Sequence, residues 1–76
     1  MNHAFTLRVS GIDIASNYEV RFYEAGCDDA LVAVIGGQVY LDFDRDATTF
    51  DAAVQSARQD VERAGGRVEA VMLPPG

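Results

Sequence analysis

The densest run of groups able to do chemistry is "VYLDFDRD", Val39 to Asp46, where Asp42, Asp44 and Asp46 recur at every second residue. Carboxylates at that spacing could supply an aspartate nucleophile for phosphoryl transfer, or the first oxygen ligands of a calcium loop. Each chemistry demands more than the chain offers. Phosphoryl transfer of this kind needs a lysine and further metal-binding acids, and the sequence contains no lysine. A calcium loop starting at Asp42 needs glycine at its sixth position and a bidentate glutamate at its twelfth, where Ala47 and Ala53 stand. The run is therefore expected to be a strand end. Val39, Leu41 and Phe43 alternate inward, Tyr40, Asp42 and Asp44 alternate outward, and Asp46 or Thr48 caps the helix that follows.

Other reactive candidates meet the same test. Asp42 and Asp44 resemble the D-x-D-x-[TV] opening of haloacid-dehalogenase-type phosphatases, but Asp46 occupies the Thr or Val position. "TLRVSGIDIASN" resembles the first strand and loop of heavy-metal-associated domains, whose soft-metal site is a C-x-x-C pair; this loop offers Ile14 and Asn17 instead. An acylphosphatase-like enzyme, the remote alternative, requires an arginine closing a glycine-rich loop just after the first strand. Arg8 lies inside that strand and Arg21 well into the next helix. Cys27 precedes Asp28 and Asp29, whose carboxylates raise a thiol pKa, so it is read as a small buried hydrophobe. His3, the sole histidine, is expected in a frayed terminus without a ligand partner. No catalytic residue, metal ligand or cofactor-binding residue is assigned, and no cofactor is expected.

With 76 residues, 49% of them hydrophobic and 24% charged, the chain has room for a single domain over 1–76, with a linker starting at 74–76. Its longest apolar run, Ala30 to Ile35, is too short to span a membrane, and the start shows no secretory pattern; a cytoplasmic location is expected. A net charge of -6 argues against direct nucleic-acid binding by this segment. Ala4 to Ser10 alternates as a half-buried strand. "IDIASNYEVRFYEAG" is expected to be helical, with caps at Asp13 or Ser16 and a stop at Gly26. Ala30 to Ile35 and Gln38 to Asp44 form a hairpin about Gly36-Gly37. Phe50, Ala53, Val54, Ala57, Val61 and Ala64 follow helical spacing until Gly65-Gly66, and Arg67 to Leu73 resumes alternation. The order predicts an α+β, ferredoxin-like βαββαβ fold, a four-stranded antiparallel sheet with two helices on one face.

From Phe22 to Val61, "FYEAGCDDALVAVIGGQVYLDFDRDATTFDAAVQSARQDV" resembles the N-terminal domain of a family of small bacterial proteins. Cys27-Asp28-Asp29 and Asp42-Phe43-Asp44-Arg45 are its most specific signs. In that family the domain runs on into an excisionase-like helix-turn-helix, whereas this chain ends at "VMLPPG". The resemblance implies an accessory domain of transcription regulators or antitoxin-like proteins and brings no catalytic residue with it.

A two-residue Gly36-Gly37 turn pairs Ile35 with Gln38, Val34 with Val39, Ala33 with Tyr40, Val32 with Leu41 and Leu31 with Asp42. Val32 and Val34 then lie under the helices, while Leu31, Ala33, Ile35 and Tyr40 lie on the open face, extended by Val71 and Leu73 if Val68, Ala70 and Met72 point inward. The expected function is a non-catalytic interaction or oligomerisation module, a homodimer joined through that face or an edge strand. The alternative is a small-ligand sensor of the amino-acid-binding type, with its site near Gly11 to Ser16.

Overall fold

Two glycines set the first register. Gly36 and Gly37 have φ of 59° and 79°, the paired positive values that a two-residue type I′ turn requires of both central residues. Ile35 therefore faces Gln38, and the pairs Val34–Val39, Ala33–Tyr40, Val32–Leu41 and Leu31–Asp42 follow as expected.

The computed structural model describes residues 1–73. Its elements are β1 (Asn2–Ser10), α1 (Tyr18–Glu24), β2 (Ala30–Ile35), β3 (Gln38–Asp46), α2 (Phe50–Arg63) and β4 (Arg67–Met72). The strands form one antiparallel sheet in the order β2-β3-β1-β4, an α+β arrangement with β3 between β1 and β2. The expected linker start at 74–76 lies outside the described residues.

Alternation along the two central strands turns Phe5, Leu7 and Val9 of β1 and Val39, Leu41 and Phe43 of β3 to one side. There they meet Phe22 of α1 and Ala53, Val54, Ala57 and Val61 of α2 in one buried cluster. Phe5 and Phe43 stack at 5.3 Å between ring centres, and the small side chains of Ala53 and Ala57 let α2 approach the sheet. Burial of this cluster is the main term favouring the fold, at about 25 cal/mol per Å² of apolar surface removed from water.

Four local expectations are corrected. The first helix is shorter than Ile12 to Gly26, because Asp13 and Ser16 close a turn ahead of it: Asp13 Oδ1 accepts the Ala15 N–H at 2.9 Å and the Asp13 carbonyl accepts the Ser16 hydroxyl at 2.6 Å. Second, Asp46 and Thr48 do not cap α2. Thr49 does, accepting the Ala52 N–H at 3.1 Å, while Asp46 still belongs to β3 and holds the Met1 ammonium at 2.6 Å. Third, β1 begins at Asn2, so His3 is not frayed; it faces Arg45 and stands edge-on to Phe50 at 6.1 Å.

The fourth correction concerns β4. Val68 faces Val9 as expected, but the register shifts between Arg8 and Val9, and beyond it Ala70 faces Arg8, Val71 faces Leu7 and Met72 faces Thr6. Directly opposed residues share a sheet face, so the register puts Val71 on the helix side opposite buried Leu7, where at the sheet edge it is still 39% exposed, and puts the half-buried Ala70 and Met72 on the open side. One extra residue at a bulge reverses the facing of everything after it. Leu73 lies past the end of β4.

Thr49→Ala should lower stability by about 1 kcal/mol, because it removes the side-chain acceptor at the helix start. Thr48→Ala should cost clearly less. Urea unfolding of the two variants checks this, and equal losses would contradict the cap.

Candidate functional site

Inward alternation along β3 does not stop at Phe43. The next inward position is Arg45, only 8% exposed, at a place where a hydrophobe would continue the core. Its guanidinium has five N–H donors in a fixed planar fork. Nε and Nη2 donate to the two carboxylate oxygens of Asp29, each at 2.8 Å. Nη1 donates to Asp60 Oδ2 at 2.9 Å and to Ser56 Oγ at 3.2 Å, and Nη2 donates to the Gly26 carbonyl at 2.8 Å. All five donors are engaged.

Two separate segments supply those acceptors. Gly26 and Asp29 belong to the turn between α1 and β2, and Ser56 and Asp60 to α2. Gly26 is needed for space as well as shape. Its φ is 110°, and a Cβ there would stand 2.8 Å from Asp60 Oδ2, displacing the carboxylate from Arg45. Asp60 Oδ1 also accepts from Arg63 Nη1 at 3.3 Å, and the same nitrogen donates to the Ala25 carbonyl at 3.1 Å, at the C-terminal end of α1. The Asp44 N–H donates to the Asp29 carbonyl at 3.2 Å and closes the turn onto β3.

The electrostatics follow from this geometry. The bidentate bond from Arg45 holds the Asp29 carboxyl below the ordinary carboxylate range, and the bond to Asp29 in turn raises the Arg45 pKa further. Cys27, inside the same turn, is pushed up to about 11, chiefly by burial and next by the Asp60 carboxylate. The expected direction is present, but the flanking Asp28 and Asp29 are the smaller causes. A thiol held this high stays protonated near neutrality and is a poor nucleophile. Arg45 has no donor left for a substrate anion, so the cluster ties the chain together and does not form a binding pocket. Among the described residues, no group of three or more His, Cys, Asp or Glu side chains is placed to hold a metal ion. Among the described residues, no helix is long and apolar enough to cross a membrane.

The residues expected at an interface divide between opposite sheet edges. Leu31 and Ile35 are 77% and 65% exposed, Ala33 is exposed and Tyr40 half-buried, and the register brings these four together on the open face. Val71 and Leu73 do not join them. β4 is the opposite edge of the sheet, and Val71 faces the helix side. Val34 faces the helix side as expected, yet it is 38% exposed because the cover ends short of it. Tyr23 of α1 is also exposed and lines a cleft with Leu31 and Val32. Arg45 was absent from the sequence-based candidates, although its inward parity after Val39, Leu41 and Phe43 was the available signal.

No protein-family model, curated protein or solved structure matches the chain.

Arg45→Met should destabilise the fold by roughly 3–5 kcal/mol, because it strands two carboxylates in a partly buried site. It should also change the acid limb. The Asp29 pKa is depressed in the folded state, so its contribution is complete above the unfolded carboxylate value and is lost as pH falls through the folded one. Wild-type stability should therefore drop steeply below about pH 4, while the variant loses this component. Urea midpoints measured from pH 7 to pH 2 check both effects; parallel acid limbs would contradict the assignment.

Proposed function

We propose that the chain is a non-catalytic interaction module that docks protein through β2 and the open sheet face beside it. One observation carries this reading: β2 is an edge strand whose Leu31, Ala33, Val34 and Ile35 are all exposed and all apolar. Natural sheet edges are usually blunted by charge, proline or a bulge. β4, at the other edge, carries Arg67 and Glu69 and pairs with β1 through a register shift, whereas the stretch from Ala30 to Leu41 bears no charge at all. The open face next to β2 is more polar, with the Thr6 hydroxyl donating to Asp42 at 3.2 Å and the Tyr40 hydroxyl to Gln38 at 3.0 Å, and it makes a rim for an apolar seam.

The fold assignment within this proposal is ferredoxin-like. Each of the two β-α-β units, β1-α1-β2 and β3-α2-β4, has a strand of the other between its own two strands, the split arrangement of that fold. The likeness of Phe22 to Val61 to small bacterial proteins supports a cytoplasmic accessory role beside a DNA-reading helix-turn-helix. The charge of -6 supports leaving DNA contact to that second part.

The ligand-sensor reading is favoured by one feature, a cleft lined by Arg8, Ser10, Gly11, Ile12, Gly37 and Gln38 at the end of the sheet. Amide NMR separates the two. Raising the protein concentration should move or broaden β2 resonances, and Ile35→Lys should abolish that response while keeping a folded spectrum. Shifts confined to Gly11–Ser16 on adding amino acids, with β2 indifferent to concentration, would replace the module reading by the sensor.

A further inference from the structure

Resting on that reading of β2, we infer that the partner is a second copy of this chain, joined edge to edge by two β2 strands running antiparallel about a two-fold axis. The free backbone groups of the edge are set by the hairpin. Asp29, Leu31, Ala33 and Ile35 share the parity whose N–H and C=O turn toward β3, as the bond from the Asp44 N–H to the Asp29 carbonyl shows. The outward groups belong to Ala30, Val32 and Val34, and the Ala30 N–H is already donated to the Cys27 carbonyl at 3.3 Å.

An antiparallel copy centred on Ala33 places Val32 opposite Val34 of the second copy, and Val34 opposite its Val32. Every free N–H and C=O of those two residues is then paired. The same register sets Leu31 against Ile35 of the other copy on the open face, so the most exposed apolar side chains of each strand cover one another. A two-fold perpendicular to the sheet keeps both helical layers on one side. There Tyr23 of α1, 67% exposed and lining the cleft beside Leu31 and Val32, adds apolar area toward the roughly 1,200 Å² that a stable interface buries. Charge favours this seam over others. Copies of a chain with net charge -6 repel one another across most of their surface, and the uncharged stretch from Ala30 to Leu41 is where approach costs least.

Cross-linking tests both partner and register. Ala33 lies on the two-fold at a non-hydrogen-bonded position, where opposed Cα atoms sit about 4.5 Å apart, within disulfide range. Under mild oxidation Ala33→Cys should run as a covalent dimer, whereas the wild type, whose Cys27 is buried, should not. Val34→Pro, which deletes an N–H that β3 does not use, should lose the cross-link when combined with Ala33→Cys. Val34→Lys combined with Ala33→Cys serves as a second block whose fold does not depend on proline. Light scattering should give twice the monomer mass for the wild type at high micromolar concentration. Cross-linking by Glu69→Cys on β4 in place of Ala33→Cys would overturn the β2 seam while leaving self-association intact. A wild-type chain that stays monomeric, with no cross-link from Ala33→Cys, would overturn the second copy as partner, and the module reading would fall with it only if added amino acids also shift the Gly11–Ser16 resonances.

Discussion

The Arg45 guanidinium is the point on which the arrangement of the other elements depends. α1 has seven residues and buries one large side chain, Phe22, so apolar packing alone gives it little purchase on the sheet. The turn that follows it, Gly26 to Asp29, is instead fastened to β3 and α2 by the bonds to Gly26, Asp29, Ser56 and Asp60. Where that turn ends, β2 begins. A buried ion pair is a poor source of stability relative to a well-packed hydrophobe, because desolvation offsets most of the attraction. Its effect here is geometric: five directional bonds admit one placement of three segments, where a leucine at position 45 would admit many.

The carboxylates of β3 stand outside this fastening. The three aspartates of β3 occupy outward positions and do unrelated things. Asp42 accepts the Thr6 hydroxyl across the open face, Asp44 lends its backbone N–H to Asp29, and Asp46 holds the chain's ammonium terminus. The acids that matter for structure, Asp29 and Asp60, lie elsewhere in the sequence and converge on the one inward arginine between them. The negative charge of the chain is thus partly tied down internally, and the β2 edge is left neutral.

Legibility in the sequence tracked how local the determinant was. The hairpin register and the facing of β2 could be read because two adjacent glycines dictate the turn, and parity propagates from it without interruption. α2 was legible from a long, regular stripe in which Ala53, Val54, Ala57 and Val61 are all buried. Val71 was misplaced because a bulge is a pairing event between distant strands, and nothing in "RVEAVM" announces the extra residue. The cap moved from Asp46 or Thr48 to Thr49 because β3 runs two residues past Asp44, drawn out by its pairing with Asn2 and His3. Arg45 was missed for a related reason: an arginine between two aspartates looks solvated, and only its strand parity says that it points inward.

The functional claim reduces to the state of alternate backbone groups along one strand, and residue-resolved hydrogen exchange reads them directly. In dilute protein the amides of Leu31, Ala33 and Ile35, turned toward β3, should be protected, while those of Val32 and Val34 exchange freely. Raising the concentration should protect Val32 and Val34 alone, leaving the β4 amides unchanged. Protection of Val32 and Val34 that never varies with concentration, or a concentration response confined to β4, would contradict the account.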